Sequence, residues 1–147
     1  MVIIKVGTGV LTNEEGQLDH DSLVALVNAL ATLTKSGKRC ILVSSGAVGA
    51  GTSALGLSSY PADVRTRQAC AAVGQTRLMH AYQTMFAAHQ IEVAQLLLTA
   101  DDFNNPKRIS RVKDTLERLG VEESMLPIIN ENDSVAVEEL SVGDNDM

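Results

Sequence analysis

The sequence contains no tryptophan, and aromatic residues make up only 3% of its 147 positions. Single-stranded nucleic acid stacks on aromatic side chains, so their scarcity argues against that ligand. Basic residues are not in excess either: 12 lysines and arginines stand against 18 aspartates and glutamates, a formal net charge of -6. Because a nucleic-acid backbone calls for a basic face, we expect no nucleic-acid partner.

Long apolar runs and signal segments are also absent. No run approaches the roughly 18 apolar residues that cross a membrane, and the chain does not open with the basic, apolar and small-residue parts of a secretion signal. We therefore expect no membrane contact and a cytoplasmic location. The two cysteines, Cys40 and Cys70, stand far apart, which is typical of small buried hydrophobes in a reducing compartment.

Common ligand motifs are missing as well. The three histidines, His20, His80 and His89, follow no metal-ligand spacing, so we predict no metal site built on side chains. There is no GxxxxGK[ST] phosphate loop. Thr12 stands where a dinucleotide fingerprint that starts at Gly7 needs a glycine, which argues against a dinucleotide site.

What the chain does contain is an alternation of apolar runs and striped segments. Continuous apolar runs predict four strands, at residues 2–6, 39–43, 91–98 and 125–130. Proline cannot donate to a hydrogen-bond ladder, so Pro127 in the last run favours an edge position or a strand start.

Apolar residues at helical spacing predict helices between these strands. The first helix follows a cap at Asp19 or Asp21 and ends at Gly37. A long helix has Pro61 in its first turn and runs to about Ala88. Gly120 ends the last helix, whose apolar stripe is Ile109, Val112, Leu116 and Leu119.

Strands that are apolar throughout and joined by helices are typical of a parallel sheet covered on both faces. The sequence therefore predicts an α/β fold, with a mostly parallel sheet sandwiched between helices. We find no repeat, linker or internal domain boundary. The hydrophobic fraction of 45% is sufficient for an ordinary core in a chain of this length.

Each predicted strand delivers small, polar or acidic residues to its carboxyl end. These clusters are residues 7–9, 44–46, 99–101 and 130–133. The carboxyl ends of parallel strands share one edge of the sheet, and ligands bind beyond that edge. We therefore predict a binding site at this edge, called the carboxyl rim below.

Lys5 stands near the end of the first apolar run, two residues before Gly7. A buried lysine is costly unless it is paired or faces a ligand, and glycines let a ligand approach the backbone. Lys5 therefore favours an anion site at the rim. The alternative is a lysine stem that lies along the sheet with its ammonium group in solvent.

Two further segments leave alternatives open. The segment SGAVGAG, residues 45–51, could hold a carboxylate or phosphate on backbone N–H groups, or form a tight strand–helix turn that needs small residues. Spacing alone does not decide between them. The acidic residues after the last strand are either solvated surface, or they include, in Asp133, a partner for an ammonium group.

Five motifs together are similar to one known family. In chain order they are KVGTGVLT, VSSGAVGAG, RQACAAVGQTRL, INENDSV and VGDND. The sequence resembles the glutamate 5-kinase family, in the amino acid kinase superfamily, over nearly all of its length. The resemblance implies an α/β/α fold and the ATP- and Mg²⁺-dependent phosphorylation of the L-glutamate γ-carboxylate. It also implies a role in proline biosynthesis, feedback inhibition by proline and a homo-oligomer.

The resemblance also implies roles for individual residues. Lys5 is the cation near the transferred phosphoryl group, where Gly7, Thr8 and Gly9 bind phosphate. Asp146 is the carboxylate that positions the lysines. The residues that bind glutamate are Ser45, Gly46, Asp133 and Asn145.

The nucleotide-binding half of that family, with its second lysine, would follow Asp146. The resemblance therefore implies that residues 1–147 are the N-terminal, glutamate-binding part of an amino acid kinase domain, and that they alone do not phosphorylate glutamate. Within the enzyme class, an acetylglutamate or carbamate kinase is the alternative. A non-catalytic sensor of glutamate or proline is the alternative from a different class.

Overall fold

The computed structural model of the chain describes residues 1–131. Its strands are β1 (Val2–Val6), β2 (Cys40–Ser44), β3 (Glu92–Leu98) and β4 (Met125–Glu131). Its helices are α1 (Thr8–Leu11), α2 (His20–Lys35), α3 (Ala47–Ala54), α4 (Val64–Ala87), α5 (Ala100–Asn104) and α6 (Pro106–Leu119). Among these helices, none combines the length and the apolar character that a membrane crossing requires.

The four strands form one parallel sheet in the order β1-β2-β4-β3. The chain moves in one direction from β1 through β2 to β3, and α2 and α4 pack on the same face. The connection from β3 to β4 runs back in the opposite direction, and it places α6 on the other face of the sheet, near Ile41 and Pro127. Crossovers of a single hand require this arrangement. The predicted α/β fold with a parallel sheet between helices is confirmed.

The main core lies between the sheet and the helices α2 and α4. From the sheet it takes Val6, Cys40, Leu42, Leu126 and Ile128. From the two helices it takes Leu23, Val27, Leu30, Ala31, Leu78, Tyr82 and Phe86. Since each of these side chains is less than a tenth exposed, this core fixes the carboxyl ends of the central strands relative to α4.

The ends of α2 and the start of α4 can be compared with the caps predicted from the sequence. Asp19 caps α2 by accepting a hydrogen bond from the Asp21 N–H at 3.3 Å, and Gly37 follows the helix with a φ of 92°. Both predictions are confirmed. The prediction that Pro61 lies in the first turn of the long helix is wrong. Because the Asp63 carboxylate accepts from the Thr66 N–H at 3.0 Å, it caps the helix, which begins at Val64.

Pro127 does not lie on an edge strand, so that part of the prediction is wrong. Its strand β4 lies between β2 and β3. Pairing of β4 with β3 starts at Met125, whereas pairing with β2 starts only at Ile128. A proline is tolerated here because, on the β2 side, the ladder begins one residue after it.

The strand predicted at residues 2–6 is confirmed, but the prediction that it is buried is wrong for the described part of the chain. Strand β1 lies at the edge of the sheet, and its burial alternates along the strand. Val6 is buried in the core, whereas Ile3 is 61% exposed and Lys5 is exposed. An apolar run does not reveal whether its strand will lie inside the sheet or at its edge.

Candidate functional site

Two of the predicted rim segments lie side by side. Strands β1 and β2 are neighbours, so the turn after each one reaches the same part of the rim. The Ser45 N–H donates to the Val6 carbonyl at 3.2 Å, and the Ser45 hydroxyl donates to the same oxygen at 3.1 Å. These hydrogen bonds join the turn after β2 to the end of β1.

The other two segments have structural roles among the described residues. Residues 99–102 follow β3 at the far edge of the sheet, where the Thr99 N–H donates to the Asp102 carboxylate at 2.8 Å and forms a capping box. Asn130 is buried at the end of β4, beside Ser44, and its amide donates to the Met79 sulfur at 3.5 Å. Asn130 therefore adjoins the segment after β2, whereas residues 99–102 follow β3, which lies beyond β4.

Lys5 is an exposed cation one residue before the end of β1. It lies opposite Val43 in the register, on the sheet face that is turned away from the α2–α4 core. Neither of the ion pairs found within residues 1–131 involves Lys5. Its place beside the rim agrees with the sequence prediction, but the buried environment assumed for it does not.

Gly7 and Gly9 are not required by packing. A Cβ atom added at either position would meet nothing within 4 Å among the described residues. Both glycines are exposed, and they leave open space next to the backbone directly after β1. This is the space that a phosphate group would need in order to approach the peptide N–H groups.

In the segment SGAVGAG the structure shows the close packing that small residues allow, and the role as an anion site stays a prediction. A Cβ at Gly49 would lie 2.6 Å from the Thr12 methyl group, and a Cβ at Gly51 would collide with the Cys70 carbonyl. These two glycines are needed for close packing. Gly46 has a φ of 110° and begins α3 at the rim, where its nearest neighbour would lie 3.5 Å from a Cβ. Backbone conformation, not packing, therefore favours glycine at position 46.

The turn after β2 offers both hydrogen-bond acceptors and donors. A carbonyl oxygen only accepts, so the Ser45 hydroxyl gives its single proton to Val6 and keeps lone pairs for a donor such as an ammonium group. The first N–H groups of α3 have no acceptor inside their own helix and favour an anion. An amino acid, which carries an ammonium and a carboxylate on one carbon, matches this combination.

The family of the chain follows from its match over the full sequence. The amino acid kinase family matches residues 1–147. The chain belongs to the amino acid kinase family. This confirms the resemblance at the level of the superfamily, and the α/β fold agrees with it.

Several curated proteins of this family are similar to the chain. A protein named glutamate 5-kinase from Oceanobacillus iheyensis is 51% identical over 146 residues, which is 99% of this chain and 39% of the relative. One of the same name from Geobacter sp. strain M21 is 47% identical over 99% of this chain and 39% of its own length. Glutamate 5-kinase 1 from Bacillus subtilis strain 168 is 44% identical over 99% of this chain and 40% of its own length. The chain thus spans about two fifths of these relatives.

Sequence reasoning missed a buried hydroxyl pair behind the rim. The Tyr82 hydroxyl lies 2.7 Å from the Ser44 hydroxyl, and the Ser44 hydroxyl donates to the Ser45 carbonyl at 3.1 Å. Burial raises the pKa of Tyr82 to about 12, although its hydrogen bond to Ser44 opposes that shift. The phenol is therefore protonated at neutral pH. The only sequence signal for this pair is a tyrosine within an apolar helix stripe.

The remaining predicted site residues lie outside the described residues. These are Asp133, Asn145 and Asp146. Within residues 1–131, no three histidine, cysteine, aspartate or glutamate side chains come together as metal ligands.

Proposed function

We propose that the chain is the glutamate-binding part of an ATP-dependent glutamate 5-kinase. In this reaction a γ-carboxylate oxygen of L-glutamate attacks the γ-phosphorus of ATP, and the bond to the β-phosphate oxygen breaks. The products are γ-glutamyl phosphate and ADP. The observation that carries the proposal is identity of 44–51%, over 99% of this chain, to curated proteins named glutamate 5-kinase.

The nucleophile in this reaction needs no general base. The side-chain carboxyl group of glutamate ordinarily has a pKa of about 4.3, so it is ionised at neutral pH. The barrier that the protein can lower is the repulsion between this anion and the phosphate oxygens, so catalysis rests on positioning and on fixed positive groups. The exposed Lys5 and the open backbone at Gly7 and Gly9 support this role for the turn after β1, in which Thr8 belongs to the same phosphate-binding segment.

Glutamate itself is assigned to the turn after β2. The Ser45 hydroxyl offers lone pairs to the substrate ammonium group, and the backbone at Gly46 and the start of α3 offers donors to a carboxylate. We assign Asp133 to the ammonium group and Asn145 to the same substrate. Asp146 positions the lysines. Feedback inhibition by proline, a homo-oligomer and a cytoplasmic location stay predictions.

Magnesium is assigned to the nucleotide. The described residues hold no cluster of acidic, histidine or cysteine ligands for it, which fits a Mg²⁺ ion that enters on the phosphates of ATP. The ion would neutralise charge on the phosphate oxygens. Lys5, the other positive group assigned to this part of the site, belongs to the chain itself.

One observation favours glutamate over the acceptors of related kinases. The proton of the Ser45 hydroxyl is used by Val6, so this side chain suits a ligand that donates. All three acceptors carry N–H donors, but only glutamate carries a charged ammonium group, which makes the stronger hydrogen bond to a hydroxyl oxygen. A sensor that only binds glutamate would use the same turn but would not need the cation at Lys5.

The proposal is tested by phosphate transfer in the full-length gene product. ADP release is measured with MgATP and each of L-glutamate, N-acetylglutamate and carbamate, and the acyl phosphate is trapped with hydroxylamine. We expect ADP release and hydroxamate with glutamate alone. Transfer to another acceptor would favour that kinase, and glutamate binding without ADP release would favour the sensor.

A further inference from the structure

A series of hydrogen bonds runs from the C-terminal part of α4 to the turn after β2. Tyr82 is fully buried in α4, and its hydroxyl lies 2.7 Å from the Ser44 hydroxyl. Ser44 has one hydroxyl proton, which it gives to the Ser45 carbonyl at 3.1 Å. Either hydroxyl could donate in the Tyr82–Ser44 bond, and the arrangement that makes both hydrogen bonds at once has Tyr82 as the donor. In this arrangement both hydrogen bonds point the same way, from the tyrosine through the serine to a peptide carbonyl.

This series of hydrogen bonds fixes a peptide plane at the rim. The carbonyl of Ser45 and the N–H of Gly46 belong to the same trans peptide and point in opposite directions. Holding the carbonyl toward the buried Ser44 hydroxyl therefore directs the Gly46 N–H away from it. Gly46, with its φ of 110°, is the N-cap of α3.

Helix α4 also contacts Ala47, the residue that follows Gly46, through its backbone. A Cβ at Gly74 would collide with the Ala47 carbonyl, so α4 and the start of α3 are in backbone contact. Gly74 and Tyr82 are two turns apart on α4. Gly74 lies against Ala47 and Tyr82 against Ser44, so they contact the two ends of the turn after β2. The position of this turn thus depends on α4 at two points.

We propose that Tyr82 is a positioning residue, which acts through Ser44 to orient the Ser45–Gly46 peptide for the carboxylate of glutamate. This inference rests on the proposed function, because it assigns the oriented N–H to that substrate. Tyr82 itself does not touch the substrate. Its removal should weaken glutamate binding and leave the chemical step intact.

The test compares Tyr82→Phe, Ser44→Ala and the double variant in the full-length gene product. Each single substitution removes one link, so each should raise the KM for glutamate about tenfold, as expected for one lost hydrogen bond, with kcat within about threefold of the wild type. The double variant should equal the larger single effect, because the two groups act in series. The KM for ATP should not change.

Phe86→Leu is the matched control, since Phe86 is a fully buried ring one turn further along α4, at a ring-centre distance of 6.3 Å from Tyr82. It should lower the melting temperature and leave the KM for glutamate unchanged. An unchanged KM in Tyr82→Phe, additive effects in the double variant, or an equal rise in Phe86→Leu would each overturn the proposal.

Amide hydrogen exchange separates this inference from the proposed function. The Ser45 N–H is bonded to Val6, and the Ala50 N–H is bonded to Gly46 at 2.9 Å. Both should exchange about tenfold faster in Tyr82→Phe, while amides of α2 keep their rates. Faster exchange in an enzyme that does not phosphorylate glutamate would contradict the proposed function alone. Unchanged exchange would contradict the role of Tyr82, whatever the activity.

Discussion

Lys5 and Asp133 carry opposite charges, and the proposed function gives them different steps. Lys5 lies exposed beside the rim, where no charged partner in residues 1–131 holds it. Its charge is free to act on the phosphoryl group. Asp133, outside the described residues, is assigned to the substrate ammonium group. Because the proposed function assigns Lys5 to the transition state and Asp133 to substrate binding, we expect their kinetic signatures to differ.

Lys5→Met keeps most of the apolar stem and removes the charge. It should lower kcat by about 10²-fold or more and change the KM for glutamate much less. Asp133→Ala should do the opposite and raise the KM for glutamate strongly, since the loss of a charge partner costs on the order of 2–5 kcal/mol. Both constants are measured in the full-length gene product at saturating MgATP.

Lys38→Met is the control, because Lys38 is an exposed lysine at the opposite edge of the sheet. It should change neither constant. If Lys5→Met raises only the KM, Lys5 stabilises the bound substrate and the transition state equally. If neither kcat nor KM changes, its ammonium group is simply solvated. An unchanged KM in Asp133→Ala would return Asp133 to the solvated surface.

At the scale of elements, the contact between α3 and α4 determines where the turn after β2 lies. Gly51 faces the Cys70 carbonyl and Gly74 faces the Ala47 carbonyl, in both cases too closely for any side chain. Gly74 lies in the middle of a 24-residue helix, where glycine costs helix propensity. The close backbone contact explains why it is present there.

Gly74→Ala should destabilise the protein by at least about 3 kcal/mol, because the added methyl group collides with backbone that cannot rotate away. Gly9→Ala is the matched control, since its methyl group would enter open space. It should leave stability unchanged or slightly higher. Denaturant unfolding of both variants measures this. Equal effects of the two substitutions would contradict the packing role of Gly74.

The helices and strands could be predicted from the sequence better than the elements that each of them packs against. Strand β1 and the caps of α2 follow from local patterns, and the rim follows from the rule that parallel strands end at one edge. The exposure of Lys5 and the interior place of Pro127 depend on strand order and register, which no local pattern contains. Tyr82 was missed because its hydroxyl partner lies 38 residues away in the sequence.

At the scale of the whole molecule, there are two candidate binding regions, one at the carboxyl ends of the strands and one at their amino ends. A cavity of about 530 Å³ opens at the amino edge, opposite the rim. Its lining includes Lys38, Arg39, Glu122 and Glu123, so charges of both signs share it. Of the predicted ligand segments, residues 7–9 and 44–46 lie at the carboxyl end of the sheet. In a doubly wound sheet, binding at the carboxyl ends is the rule, and we therefore propose that glutamate binds there in spite of the cavity.

Amide chemical shifts of the full-length gene product, titrated with L-glutamate, test this placement most directly. We expect saturable shifts concentrated at residues 7–9 and 45–48, with residues 37–41 and 120–124 around the cavity unchanged. Shifts concentrated at the cavity residues, or no saturable shift at the rim, would contradict it.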